Sequence, residues 1–176
     1  STGSQDNRKG AGRTAIFLPD FRIGADPGFG LRFGHTMSTT GDTRNRVVVV
    51  GEGPAGLLAA CAAAERGAQV LVFERQAEPG IKLAATGGGR CNFTNTLPPD
   101  DFIRRFGEQG RFAAPALRAL DSLRLRRRLN ALGVASHAPD GWHVFPVCES
   151  ARVVRDALLR ACRERGLVLR CRTPVR

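Results

Sequence analysis

Hydrophobic residues follow no regular pattern over the first quarter of the chain and become regularly spaced from about residue 45 onward. Residues 1–44 are rich in Gly, Ser, Thr, Asp and Arg, without a sustained period of 2 or 3.6, so we predict a disordered or non-native extension there. Met37 is the only methionine, which favours a natural start at that residue. A transit peptide is the alternative, and three aspartates before Met37 count against it. We expect the folded domain to span residues 45–176.

A strand–helix–strand pattern opens the regular part of the chain. Four consecutive valines at 47–50 predict a strand buried on both faces, as in the centre of a parallel sheet. The Ala- and Leu-rich run 54–66 predicts a helix capped by Gly67, and the run 69–74 predicts a second buried strand. This combination is a βαβ unit and indicates an α/β fold.

Helical and strand patterns continue beyond residue 96. Six leucines at helical spacing predict one broad apolar helix face: Leu117, Leu120, Leu123, Leu125, Leu129 and Leu132. Residues 139–141 predict a turn between short strands. A further amphipathic helix is expected between Ser150, its N-cap, and Gly166, followed by a third parallel strand within 167–173.

The charge and composition change this picture little. A net charge of +11 arises from 25 Arg and two Lys, with abundant Ala and Gly and no Tyr, so it reflects GC-rich coding more than a selected polycation. We therefore expect no nucleic-acid partner. Arg124 and residues 126–128 could contact phosphates, although a solvated helix face is the preferred interpretation. No apolar run reaches about 18 residues, so we expect a cytoplasmic protein without a membrane segment.

The five cysteines form no CxxC pair and are odd in number, which argues against a zinc site or a disulfide framework. We predict no metal site. Cys61, Cys162 and Cys171 fall in predicted helix or strand and are expected to be small buried hydrophobes. Cys91 lies in a glycine-rich stretch, where a packing role is preferred and a redox disulfide is the alternative.

A G-x-G-x-x-G motif lies between the first predicted strand and the first predicted helix. Gly51 permits the tight turn, Gly53 lets the backbone approach a pyrophosphate, and Gly56 lets the helix pack closely on the sheet. The phosphates would lie at the helix N-terminus, where unpaired N–H groups and the helix dipole favour negative charge.

An acidic residue follows this motif at the expected spacing. Glu74 ends the second predicted strand, where a carboxylate accepts hydrogen bonds from a ribose diol and disfavours the 2′-phosphate of NADP. The nucleotide is therefore FAD or NAD. The residues assigned to this part of the cofactor site are Gly51, Gly53, Pro54, Ala55, Gly56, Glu74 and Arg75.

A second glycine motif, KLAATGGGRCNFTN at residues 82–95, identifies a family. With the first motif, it resembles the amino-terminal FAD-binding segment of the HI0933-like flavoproteins, also described as the BaiN or aminoacetone oxidase family of FAD-dependent oxidoreductases. The family signature leads from Lys-Leu into Ser-Gly-Gly-Gly-Arg-Cys-Asn and Thr-Asn. Thr86 stands where Ser is usual, and Glu52 stands where Gly is frequent. We expect the Glu52 side chain to crowd the phosphate turn and its charge to weaken binding.

The resemblance implies a Rossmann-like FAD-binding domain of the two-dinucleotide-binding flavoprotein type. It places the loop 87–92 along the FAD, near the pyrophosphate and the isoalloxazine. Arg90 would balance phosphate charge or stabilise the anionic reduced flavin, and Asn92 would hydrogen-bond the ring. The site residues in this second motif are Lys82, Thr86, Gly87, Gly88, Gly89, Arg90 and Asn92.

The resemblance also implies that the chain is truncated, because family members are more than twice this length. We therefore expect the amino-terminal portion of an oxidoreductase whose redox chemistry runs through bound FAD, with NADH or NADPH as a possible electron donor. A non-catalytic dinucleotide-binding module is the alternative, and an arginine-rich nucleic-acid-binding protein is a third hypothesis. The substrate is expected to be a small molecule, and neither its identity nor the catalytic residues follow from the sequence.

Overall fold

The structure, a computed structural model, describes residues 45–175, so the predictions for residues 1–44 lie outside the described residues. Within the described range the elements, in chain order, are β1 (Arg46–Val50), α1 (Pro54–Ala64), β2 (Gln69–Phe73), α2 (Ile81–Ala84), β3 (Thr94–Asn95), α3 (Pro99–Arg104), α4 (Gly110–Ala119), α5 (Ser122–Ala131), β4 (Ser136–His137), β5 (His143–Pro146), α6 (Ala151–Glu164) and β6 (Val168–Arg170). Two short 3-10 turns, Thr86–Gly89 and Gly107–Gln109, lie between these elements.

A parallel sheet with the strand order β1-β2-β6 forms one layer of the structure. Val48 pairs with Leu71, and Val72 pairs with Leu169, so all three strands run in the same direction. Helix α1 connects β1 to β2 and ends before Gly67, which has a left-handed φ of 82°. The predicted βαβ unit and the predicted third parallel strand are both confirmed, as is the α/β Rossmann-like fold class.

A second sheet is antiparallel and has the strand order β3-β5-β4. Strands β4 and β5 lie between α5 and α6 in the chain, whereas β3 precedes α3. Thr94 pairs with Val144 and His137 pairs with Phe145. The turn before β5 contains Gly141 with a φ of 73°, a conformation that favours glycine. The predicted turn between two short strands is therefore confirmed.

The hydrophobic core lies between α1, α6 and the parallel sheet. Leu57 and Cys61 of α1 and Val72 of β2 are buried against α6. Helix α6 buries residues at helical spacing, among them Val154 and Leu158. Gly166, which follows this helix, has a φ of 70°. The core thus fixes the βα turn after β1, where the first glycine motif lies.

The prediction of a central, doubly buried first strand was wrong. Among the described residues only β2 pairs with β1, so β1 is an edge strand. The valines at 47–49 are half-buried, and Val50 remains 63% exposed. A run of valines specifies a strand that can be buried, whereas strand order decides how many neighbours it has.

The prediction of one continuous apolar helix face over 117–132 was also wrong. The backbone leaves the helical region at Leu120, with φ −132° and ψ 76°, and Asp121 begins α5. Leu123 is more than half exposed, and only Leu129 of the six leucines is fully buried. The break rotates α5 relative to α4, so the leucines before and after it no longer share one face.

The arginines of α5 make contacts within the chain. Arg128 pairs with Glu65 at 2.8 Å, and the Nε of Arg126 donates to the hydroxyl of Ser136 at 3.0 Å. The guanidinium groups of Arg126 and Arg128 thus bind other residues of the chain. The sequence had allowed either a phosphate-binding role or a solvated helix face for them. Within residues 45–175, no helix combines the length and the apolar character needed to cross a membrane.

Candidate functional site

The first glycine loop has a backbone that requires glycine at two positions. Gly51 has a φ of 98°, and its N–H donates to the carbonyl of Phe73 at 2.7 Å, which places the loop beside the end of β2. A Cβ added at Gly56 would overlap the carbonyl oxygen of Gly51. Any side chain at Gly56 would therefore separate α1 from the loop, which is the close approach expected of the third glycine.

Gly53 leaves open space in front of the N-terminus of α1. It is the N-cap residue, with φ −73° and ψ 174°, and a Cβ added there would meet nothing within 4 Å. Pro54 occupies the first helical position, and both Pro54 and Ala55 are exposed. No side chain caps this helix end. The space and the helix N-terminus fit a pyrophosphate, so these residues fit the dinucleotide that the motif predicts.

Glu74 is fixed at the edge of the first loop by two backbone hydrogen bonds. Its Oε2 accepts from the N–H of Glu52 at 3.0 Å, and its Oε1 accepts from the N–H of Gln76 at 2.8 Å. These two hydrogen bonds hold the pKa of Glu74 below its ordinary value, and the bond from Gln76 has the larger effect. An ionised carboxylate has about four acceptor positions, so both oxygens retain a lone pair for a ribose diol.

The structure corrects our expectation for Glu52. Its side chain is completely buried, with Oε2 3.6 Å from the Sγ of Cys171, which donates to it. The other oxygen, Oε1, is buried and has no hydrogen-bond partner among residues 45–175. Burial raises the pKa of Glu52, and the nearby charge of Glu74 raises it further. Glu52 therefore turns into the protein beneath the loop and does not present a charge to the phosphates.

The second glycine loop folds back on itself. Gly87 and Gly88 have left-handed φ values of 56° and 66°, and a Cβ at Gly87 would lie 2.8 Å from the N of Asn92. The hydroxyl of Thr86 donates to the carbonyl of Leu83 at 2.7 Å. Threonine in place of the usual serine thus keeps a hydroxyl that anchors the start of the loop.

Cys91 belongs to the hydrophobic core. Its side chain is 1% exposed, and its N–H donates to the carbonyl of Thr86 at 3.0 Å. Burial raises the pKa of the Cys91 thiol, which disfavours the thiolate needed for disulfide chemistry. These observations favour the packing role over the redox alternative.

An open cavity of about 490 Å³ lies beside the second glycine loop. The guanidinium of Arg90 lies 4.8 Å from the centre of the Phe145 ring, a cation–π distance. The Asn92 amide, oriented to satisfy its hydrogen bonds, donates from Nδ2 to the carbonyls of Thr94 and Val144. The residues that line the cavity are Gly87, Arg90, Asn92, Pro139, Asp140, His143 and Phe145.

The predicted site residues fall into two groups in space. Gly51, Gly56 and Glu74 meet where β1 and β2 end, whereas Gly87, Arg90 and Asn92 share the cavity. Both groups rest on one core, because Leu57 of α1 and Cys91 of the second loop belong to the same hydrophobic cluster. Arg75 and Lys82 are exposed, and neither lines the cavity.

Sequence reasoning missed Asp140 and His143, which it assigned only to a turn and a strand. The Nδ1 of His143 lies 2.5 Å from Oδ2 of Asp140, and both residues line the cavity. The available signal was an aspartate at a turn with a histidine three positions later, a spacing that lets one carboxylate bond both the turn backbone and the imidazole.

Comparison with known proteins gives the same fold and a family. The family model described as "HI0933-like protein Rossmann domain" matches residues 45–176. The ribosomal RNA dihydrouridine synthase of Escherichia coli is 29% identical over 130 residues, which cover 73% of this chain and 31% of that protein. The 3-dehydro-bile acid delta(4,6)-reductase of Clostridium scindens is 33% identical over 116 residues, or 65% of this chain and 28% of that protein.

Solved structures with a comparable fold include a steroid dehydrogenase. A 3-ketosteroid-delta4-(5alpha)-dehydrogenase from Rhodococcus jostii RHA1 is 21% identical, with a TM-score of 0.51, and the match covers 78% of this chain and 40% of that chain. The matched part of the chain thus spans about a third of the length of the Escherichia coli and Clostridium scindens relatives. Its Rossmann-like fold, its two glycine motifs and the family match over residues 45–176 show that this chain belongs to the HI0933-like family and carries its FAD-binding Rossmann domain.

Proposed function

We propose that this chain is the FAD-holding portion of a cytoplasmic oxidoreductase that uses NADH or NADPH to reduce a carbon–carbon double bond. The observation that carries the proposal is the first glycine loop, where Gly56 is sterically required and Gly53 faces open space. Bound FAD would supply hydride transfer, while the chain holds its pyrophosphate at α1 and its ribose at Glu74. The cysteines are all free, which suits a reducing compartment.

The names of two relatives support a reductase. One is a dihydrouridine synthase and the other is a delta(4,6)-reductase, and both names describe saturation of a carbon–carbon double bond. We expect a conjugated carbonyl compound of low molecular weight as the substrate. A uracil base within RNA is the second candidate, since the Escherichia coli relative is named for ribosomal RNA.

Flavin retention tests the cofactor part of this proposal. The purified chain should show flavin absorbance near one FAD per protein, or acquire it when FAD is added. Gly53→Val should weaken FAD binding about tenfold or more, because its side chain would occupy the space in front of α1. The same space is free of protein atoms, so this variant should fold normally and lose only the cofactor.

Glu74→Ala should also weaken FAD retention, because it removes the ribose acceptor. Glu78→Gln, at an exposed position on the same connection, serves as the matched control and should retain FAD. A well-folded protein that does not take up FAD would refute the proposal for this chain. With FAD bound, consumption of NADH or NADPH in the presence of a small enone or of uridine-containing RNA distinguishes the two substrate classes.

A further inference from the structure

Three residues that we assign to FAD, Gly87, Arg90 and Asn92, line one side of the cavity, and Asp140 and His143, which we do not assign to FAD, line another part of it. Asp140 sits in the turn before β5, where its Oδ1 accepts from the backbone N–H groups of Trp142 at 2.9 Å and His143 at 2.8 Å. Its Oδ2 lies 2.5 Å from the Nδ1 of His143. The carboxylate is therefore held by the turn and in turn orients the imidazole.

The protonation pattern of the pair follows from these contacts. The pKa of Asp140 is lowered, first by the hydrogen bond from the His143 ring and then by the two backbone donors, so Asp140 is an ionised acceptor. An ionised carboxylate cannot donate, so Nδ1 of His143 carries the hydrogen of this bond. Nε2 is the ring nitrogen that remains for a ligand.

Strand geometry places His143 on the cavity side of β5. Residues 143 and 145 of a strand share one face, and both line the cavity, whereas Val144 is completely buried on the other face. The centroids of the His143 and Phe145 rings are 6.3 Å apart. Arg90 covers the Phe145 ring, so this wall combines flat apolar surface with a cation and an imidazole.

One charged group contacts the imidazole, and two others lie over the aromatic rings beside it. Asp140 contacts the imidazole directly, Arg90 of the second glycine loop lies over the Phe145 ring, and Arg105 lies 5.3 Å from the centre of the neighbouring Trp142 ring. About half of the His143 and Asp140 side-chain surface is exposed, so solvent reaches the ring. The pair is oriented like a general acid and can be re-protonated without leaving its position.

We propose that this cavity binds a planar carbonyl compound and that His143 is the proton donor to its carbonyl oxygen, with Asp140 as a positioning residue. The ring of the ligand would lie along the wall formed by Phe145 and Arg90. This inference rests on the proposed function, since it names the group that supplies the proton of that reduction.

The step balances in atoms and electrons. Reduced FAD, if bound as in the proposed function, would supply a hydride to the β-carbon of the conjugated double bond, and the π electrons would move onto the carbonyl oxygen. His143 would transfer its Nε2 proton to that oxygen and keep the Nδ1 hydrogen that it donates to Asp140. The resulting enol converts to the saturated carbonyl compound, and solvent returns a proton to Nε2.

4-Nitrophenol is a suitable probe, because it is planar, its oxygen imitates the carbonyl oxygen, and its visible absorbance reports ionisation. The purified 176-residue chain is titrated with it at several pH values, with and without added FAD, and flavin absorbance is recorded separately. We expect saturable binding of the phenolate with a changed spectrum. His143→Gln should weaken binding about tenfold or more, since it removes a charge-assisted donor.

Two variants separate the roles of the pair. Asp140→Asn keeps an oxygen for the two backbone donors and removes the charge, so it should weaken binding and alter its pH profile while melting normally. His137→Gln, on β4, is the matched control and should bind the probe as the parent does. If His143→Gln has a lower melting temperature than the parent, His143→Asn is used in its place.

The outcomes are separable from those of the proposed function. Binding that depends on His143 supports the inference whether or not the chain retains FAD. Binding that is equal in the parent and in His143→Gln overturns it, as does a parent chain that does not bind the probe. If Asp140→Asn binds the probe with the same pH dependence as the parent, Asp140 serves only the turn, and its positioning role is overturned.

Discussion

The carboxyl group of Glu52 is buried directly beneath the loop that would hold a pyrophosphate. Its backbone N–H supports Glu74, whereas its side chain lies against Cys171, with Oε1 unpartnered among the described residues. A carboxylate in such a place is costly unless it is protonated. The residue that breaks the family pattern in this motif therefore acts on stability through its protonation, and its effect should depend on pH.

Replacing Glu52 with Gln should stabilise the protein relative to the parent as the pH rises. Burial raises the pKa of Glu52 in the folded state, so the folded protein binds the proton more tightly than the unfolded chain does. Below the pKa of about 4.5 that Glu52 has in the unfolded chain, the carboxyl is protonated in both states and its burial does not require ionisation. The parent protein then loses stability as the pH rises through the higher pKa that Glu52 has in the folded state. Urea unfolding of both proteins from pH 4 to 8 measures the difference, with Glu78→Gln as the exposed control. A difference that stays constant over this range would contradict the prediction.

At the scale of helices, one side-chain cap begins α5 after the break that separates it from α4. Asp121 accepts from the N–H of Arg124 at 2.7 Å, which makes it the N-cap of α5. Ser150 occupies the equivalent position before α6, yet its side chain makes no capping hydrogen bond. The sequence predicted Ser150 as a cap and did not predict Asp121 as one.

Asp121→Ala should therefore lower the free energy of unfolding by about 1 kcal/mol, the usual cost of losing an N-cap hydrogen bond. Ser150→Ala is the matched control and should change it by less than about 0.5 kcal/mol, because no bond is lost. Chemical denaturation of the two variants beside the parent gives both values. Equal losses would show that the two caps are equivalent, contrary to the structure.

Local sequence signals predicted where helices and strands begin and end, but they did not predict which other parts of the chain these elements contact. The valine run, Gly67 and Gly166 specified strand and helix ends correctly, because these signals act within a few residues. The edge position of β1 depends on strand order, which a local pattern does not encode. The contact of His143 with Asp140 depends on one turn conformation, and the contact of the buried Glu52 is with Cys171, just after β6 and more than a hundred residues further along.

Across the whole described chain, Glu65 joins three helical segments that are distant in sequence. It lies just after α1 and accepts from Arg128 of α5 at 2.8 Å and from Arg165, at the end of α6, at 3.0 Å. All three side chains are about a third exposed. These ion pairs hold the end of α1 against α5 and α6, so they should contribute to the stability of the whole described domain.

Glu65→Gln should lower the free energy of unfolding by about 0.5–1 kcal/mol at pH 7 and low salt, as expected for a partly exposed network. The hydrogen bond from Arg128 is the first cause of the lowered pKa of Glu65. The contribution is therefore present above the unfolded pKa of about 4.5 and is lost as pH falls through the lower, folded pKa. Added salt should reduce it too.

The control for this network is Asp100→Asn, which breaks the exposed pair that Asp100 forms with Arg118 at 3.1 Å. Both side chains of that pair are well over half exposed, so its loss should have little effect at any pH. Denaturant unfolding at pH 7 and pH 3, each at low and high salt, compares the two variants. If Glu65→Gln costs as much at pH 3 and high salt as at pH 7 and low salt, Glu65 acts through packing alone, and the electrostatic link between α1 and the two later helices must be abandoned.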